Sequence, residues 1–123
     1  MPFPLRSKAV AMVGLLALLT ACAEPEPFTG AIAPYADPSI GDAEDLDSIL
    51  VGGQRIRLTN IDNRQLPIDQ ARAGLARIER ELGGRTAICQ ISSRASNRWE
   101  GRCSTGGQDI GAWMVAAGLA VFE

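Results

Sequence analysis

The sequence predicts one small α+β domain, mainly β, behind a leading segment that does not belong to it. Three observations carry this. Apolar residues alternate with arginine and threonine through residues 54–59. The pattern then changes to a helical period over residues 67–82. Paired glycines at 52–53, 83–84 and 106–107 punctuate the chain where these patterns start or stop.

Residues 49–51, the Gly52-Gly53 pair and residues 54–61 read as a β-hairpin, because two glycines suit the positive φ angles of a two-residue turn. Ile56 and Leu58 alternate with Arg55, Arg57 and Thr59, which gives one apolar and one polar face. A helix follows over residues 67–82, with Ile68, Ala71, Leu75, Ile78 and Leu82 on one stripe. Pro67 suits its first turn, Asp69 complements the positive end of its dipole, and Gly83-Gly84 ends it. Two more strands run over residues 86–92 and 99–104. Gly106-Gly107 turns the chain into a short helix over residues 110–117, capped by Asp109 and ended by Gly118. Residues 28–33, further upstream, are a candidate first strand.

The amino-terminal segment has its own logic. Arg6 and Lys8 precede an apolar run over residues 9–19, broken only by Gly14. Such a run is too short to cross a hydrocarbon core of roughly 30 Å as a helix. It ends in Leu19-Thr20-Ala21-Cys22, which resembles the bacterial lipobox. That resemblance implies a lipoprotein signal peptide over residues 1–21, cleavage before Cys22, and a membrane anchor on the Cys22 thiol. Ala23, rather than an aspartate, follows the cysteine. The expected location in a Gram-negative cell is therefore the outer membrane, facing the periplasm. Residues 22–44 read as an acidic, Pro-rich linker and residues 45–123 as the domain.

Charge is segregated along the chain. Residues 23–47 hold seven acids and no base, whereas residues 48–123 hold ten arginines, no lysine and seven acids. The domain thus carries 10 − 7 = +3 and the leader −7. This arginine excess is compatible with phosphate binding but falls short of a basic patch. The absence of histidine excludes Ser-His and Cys-His nucleophile systems and makes zinc a poor expectation.

Several segments together resemble the staphylococcal-nuclease (thermonuclease-like) family. Asp45-Leu46-Asp47-Ser48 stands where that family has an acidic motif, and Gly52-Gly53-Gln54-Arg55-Ile56-Arg57-Leu58 fits its hairpin. Ile61-Asp62-Asn63-Arg64-Gln65 occupies its next motif, and Gly101-Arg102-Cys103 and the stretch from Asp109 to Gly118 fit its tail. The resemblance implies an OB-fold-type five-stranded barrel with helices, shortened at the C-terminus relative to longer members. It also implies phosphodiester chemistry on nucleic acid or a nucleotide, in which carboxylates hold Ca²⁺, a glutamate activates water and two arginines clamp phosphate.

Asp47 and Asp62 match the metal-ligand positions, and oxygen donors of this kind suit Ca²⁺. Arg57 and Arg98 match the two clamping arginines, whose guanidinium forks fit phosphate oxygens. Gln65 stands at the catalytic-glutamate position. An amide can orient water but cannot take its proton, and general-base assistance is worth ~10²–10⁴ in rate. Arg64 replaces the preceding proline, and Ser96-Asn97 replaces a tyrosine that offers a base a stacking surface. Each residue also has a plain structural reading. Asp47 belongs to an acidic tract, Asp62 suits a turn, Arg57 and Arg98 suit exposed strand positions, and Trp99 and Trp113 suit the core.

Cys89 shares its strand parity with Ala87 and Ile91, and Cys103 shares its own with Trp99, so both thiols face the apolar side. Export favours a Cys89–Cys103 disulfide, with two buried thiols as the alternative. Three functions are consistent with these residues: a non-cleaving nuclease-like domain that binds a ligand or partner at the envelope, an active Ca²⁺-dependent nuclease, and a structural envelope lipoprotein. Gln65 favours the first. For the anchor, metabolic labelling with a fatty acid should mark the wild-type chain and spare a Cys22→Ser variant. An unmarked wild-type chain contradicts the lipobox reading.

Overall fold

The computed structural model describes residues 26–36, 46–95 and 97–123. The expected signal segment 1–21, the lipidation site Cys22, linker residues 23–25 and 37–44, Asp45 of the acidic motif and Ser96 lie outside them. The described elements run β1 Phe28–Pro34, β2 Ser48–Val51, β3 Gln54–Leu58, β4 Ile61–Asn63, α1 Ile68–Leu82, β5 Thr86–Arg94, β6 Trp99–Thr105, β7 Gln108–Asp109, α2 Ile110–Ala116 and β8 Ala120–Phe122. The chain is mainly β with two helices among the described residues. None of these helices is long and apolar enough to cross a membrane.

The β2–β3 hairpin follows from its sequence. Gly52 and Gly53 take φ of 57° and 80°, a region L-residues rarely enter, and the strands pair Ile49 with Ile56 and Ser48 with Arg57. Ile49, Val51, Ile56 and Leu58 are buried, and Arg55 and Arg57 take the opposite face. β1 pairs antiparallel with β2 through residues 32–34 and with β5 through residues 28–31. The candidate first strand is thus an interior member of the sheet, and the folded unit reaches back to Phe28.

β5 and β6 form a second antiparallel pair that sets Cys89 opposite Cys103. A disulfide joins them, and the residues are 0% and 2% exposed. The shared inward parity accounts for both the pairing and the burial. β3 then pairs in parallel with β6, with Ile56 beside Trp99, Arg57 beside Glu100 and Leu58 beside Gly101. Strands β3, β2, β1, β5 and β6 therefore close a ring around the apolar residues, and β7 extends β6. The β5–β6 pair brings the backbones close at Gly101, where a Cβ would lie 2.4 Å from the Gln90 carbonyl oxygen on β5.

Helix α1 packs against β1 and buries Ala71, Gly74, Ile78 and Leu82. Two details depart from the expected stripe. Ile68, in the first turn, stays 43% exposed. Gly74 is buried instead, because its missing side chain admits Leu119, whose Cδ2 would lie 2.6 Å from a Cβ there. Counting apolar side chains overlooks a glycine used for close approach.

Helix α2 is held at its start by Asp109. The carboxylate Oδ1 accepts from the Ala112 amide at 2.8 Å and from Asn60 Nδ2 at 2.9 Å, and Oδ2 accepts from Arg102 Nη2 at 3.3 Å. Burial pushes the Asp109 carboxyl up, but these hydrogen bonds and the Arg102 charge outweigh it and hold it below the usual carboxylate range. The expected cap is therefore present, and it also ties α2 to the turn after β3.

The expected long arm over residues 54–61 is broken at Thr59-Asn60. Beyond it, β4 pairs antiparallel with β8, Ile61 beside Phe122 and Asn63 beside Ala120. Strand β8 was not expected. It spans three residues and leaves Val121 and Phe122 exposed, so it has no alternation long enough to register.

The disulfide yields a direct prediction. Cys89→Ser should lower stability in chemical denaturation by ~2–5 kcal/mol, the usual cost of losing a native bridge from a small exported domain. Non-reduced peptide maps should show the two cysteines linked. Two alkylatable thiols, or an unchanged unfolding midpoint in the variant, contradict this.

Candidate functional site

The hairpin and the ring closure together assemble a group of charged side chains around Arg57. Asp47 sits just before β2 and is only 8% exposed. Its backbone carbonyl accepts from the Leu58 amide at 2.8 Å, which fixes it against the end of β3. Its carboxylate Oδ2 lies 3.3 Å from Arg57 Nε, and Oδ1 accepts from Ser48 Oγ at 3.4 Å. The side chains of Arg57 and Asp47 are 18% and 11% exposed, so this ion pair is largely withdrawn from water.

Arg57 faces other carboxylates as well. Its Nη2 lies 3.9 Å from Glu123 Oε1, brought there by β8 and by the Glu123 amide, which donates to the Asn60 carbonyl at 3.2 Å. Glu100 stands beside Arg57 in the parallel register of β3 and β6. On its other side, Glu100 Oε1 lies 3.8 Å from Arg98 Nη2. Glu100 is thus the ion-pair partner of Arg98 and the register neighbour of Arg57. Arg57 and Arg98 supply two positive charges, and Asp47, Glu100 and Glu123 supply three negative ones, which leaves the group at −1.

The other two expected site residues lie on the strand and loop that follow. Asp62 is exposed on β4, and its Oδ1 accepts from the Asn63 amide at 2.8 Å. Gln65 is exposed in the loop between β4 and α1. In the same loop, Arg64 donates from Nη1 to the Gly118 carbonyl at 3.3 Å, which clips the loop to the turn after α2. The structure thus pairs Asp47 with Arg57, while Arg98 pairs with Glu100, the register neighbour of Arg57.

Calcium takes about six to eight oxygen ligands, several of them carboxylates. Among the described residues, no group of three or more His, Cys, Asp or Glu side chains is placed to hold a metal ion. Asp47 already serves as the partner of Arg57, and Asp62 carries a local backbone hydrogen bond. Among the described residues the donor set does not fit a calcium site.

Neither tryptophan offers a free platform. Phe28 packs edge-on against Trp99, with ring centroids 5.1 Å apart at 73°, and the Arg94 guanidinium lies 4.4 Å over the Trp99 ring. Arg77 lies 5.5 Å over Trp113. Both rings are partly buried against the core. A shallow cleft of about 240 Å³ lies elsewhere, between α1 and the turn after α2, lined by residues that include Leu66, Gly74, Arg77 and Leu119. It contains none of the charged group.

Glu100 and Glu123 were absent from the sequence-based expectation. Period-two alternation sets Glu100 and Arg102 on one face of β6 and could have found Glu100. Nothing short of the β4–β8 pairing points to Glu123. The chain matches no protein-family model and no curated protein.

Proposed function

We propose that this chain is an envelope lipoprotein whose domain is a diverged thermonuclease-like, OB-type barrel that binds a ligand or protein partner without cleaving phosphodiesters. The order and spacing of the motifs from Asp45 to Gly118 support the family reading. The closed ring of five strands with two helices supports the OB-type reading. Fold alone carries no activity, so the functional reading rests on the site.

One observation carries it: Arg57, the arginine best placed to clamp a phosphate, is already paired with the buried carboxylate of Asp47. A guanidinium held this way gives structure to the hairpin end and has less charge to offer an incoming anion. Gln65 removes the proton acceptor that hydrolysis needs. Together these features support a domain that keeps the framework and has lost the chemistry. The lipid anchor at Cys22 would display it at a membrane surface, where a binding role needs no turnover.

Purified protein should cut neither DNA nor RNA in millimolar Ca²⁺, and Ca²⁺ should leave its melting temperature unchanged. Gln65→Glu should raise cleavage only slightly, because a base displaced by ~1 Å can lose ~10²-fold. Robust Ca²⁺-dependent cleavage by the wild-type chain overturns the proposal and makes the protein an enzyme.

A further inference from the structure

We infer that the end of the strand ring at which β1 begins is a membrane-contacting surface, where Arg94 and Arg98 meet the phosphates of the lipid layer that holds the anchor. The inference rests on the reading of Cys22 as the lipidated residue and adds how the domain stands on that membrane.

Strand directions define two ends of the ring. β1 starts at Phe28 and runs antiparallel to β2 and β5, whereas β6 runs antiparallel to β5 and parallel to β3. Phe28, the Gly52-Gly53 turn, and Arg94 with its register partner Trp99 therefore lie together at one end. Contacts agree with this. The Phe28 and Trp99 rings pack 5.1 Å apart, and the Arg94 guanidinium lies 4.4 Å over Trp99. Phe28 Cζ would lie 3.9 Å from a Cβ on Gly52. Pro34, Asp47, Leu58 and Thr105 mark the opposite end, where β7 pairs with β6 and leads into α2.

The link from the anchor selects one of these ends. Cys22 precedes Phe28 by six residues. Whatever path they take, six residues span at most about 20–22 Å. A globular domain of about 100 residues is roughly 30–35 Å across. With the opposite end on the membrane, Phe28 would stand farther from the lipid than this link reaches. The Phe28 end is instead held beside the lipid at an effective concentration of order millimolar, so weak contacts suffice.

The surface held there carries suitable groups. Arg94 is exposed, and the Arg98 side chain is 46% exposed. Guanidinium forks fit phosphate oxygens, and each basic side chain beside an anionic leaflet favours contact by roughly fivefold. Glu100 offsets part of the Arg98 charge, and Glu24 and Glu26 lie on the link itself. The reach of the link, rather than net charge, therefore decides which end meets the lipid. The Asp47–Arg57 pair, at the opposite end, is left on the side that a partner in solution can approach.

The two tryptophans allow a direct test, because Trp99 is at the Phe28 end and Trp113 is on α2. The lipidated full chain would be reconstituted in vesicles of phosphatidylethanolamine and phosphatidylglycerol containing a headgroup-nitroxide lipid. Trp113→Phe isolates Trp99, Trp99→Phe isolates Trp113, and circular dichroism checks that each variant is folded. Trp99 should lose most of its emission to the nitroxide, and Trp113 little. A Gly-Ser insert of about 20 residues between Glu26 and Pro27, long enough to free the domain, should relieve the Trp99 quenching. Joint Arg94→Glu and Arg98→Glu should weaken it. The inference is overturned if Trp99 is quenched no more than Trp113, if the insert leaves its quenching intact, or if charge reversal does. Fatty-acid labelling is scored separately. An unmarked chain defeats the anchor reading and the inference with it, whereas a marked chain without selective Trp99 quenching defeats only the inference.

Discussion

The parallel pairing of β3 with β6 is the constraint on which the rest of the molecule depends. The hairpin β2–β3 and the pair β5–β6 are each local in sequence and need little to find their register. Joining them costs more, because β3 and β6 are separated by β4, the whole of α1 and β5. The join is stabilised by burial of Ile56 and Leu58. The Thr59 amide donates to the Gly101 carbonyl at 3.0 Å and ends the seam. Helix α1 then lies against β1, and the disulfide holds β5 to β6 in the interior.

The same seam determines the chemistry of the charged group. Arg57 and Glu100 become neighbours only because β3 and β6 run side by side. Asp47 reaches Arg57 only because the hairpin register pairs Ser48 with Arg57 and the Leu58 amide holds the Asp47 carbonyl. A largely buried carboxylate without a partner is costly, whereas one paired with a guanidinium is tolerated. Once Asp47 is buried, Arg57 is committed to it. An arginine in that role is a poor phosphate clamp, whatever its position in a motif suggests.

Much of this architecture was legible in the sequence, for reasons that particular residues make plain. Gly52-Gly53 and the alternation around Ile56 and Leu58 specify a hairpin locally. The period of Ala71, Ile78 and Leu82 specifies a helix, Asp109 its successor's cap, and the parity of Cys89 and Cys103 their common side. The features that escaped are long-range. Strand β8 exists because β4 offers it an edge, and neither strand has more than three residues. The burial of Asp47 depends on a partner ten residues away in sequence, so an acidic tract gave no sign of it. Glu100 looked like one more surface charge until the parallel seam set it beside Arg57.

The most direct test of the central claim, that Arg57 is held by Asp47 rather than kept open for a ligand, is a double-mutant cycle. Asp47→Asn, Arg57→Gln and the double variant would be unfolded by denaturant beside the wild-type chain. The account predicts a favourable coupling between the two side chains of about 1–3 kcal/mol, in the range found for residues in direct contact within one ion-pair network. Strict additivity, with no coupling between the two positions, would contradict it.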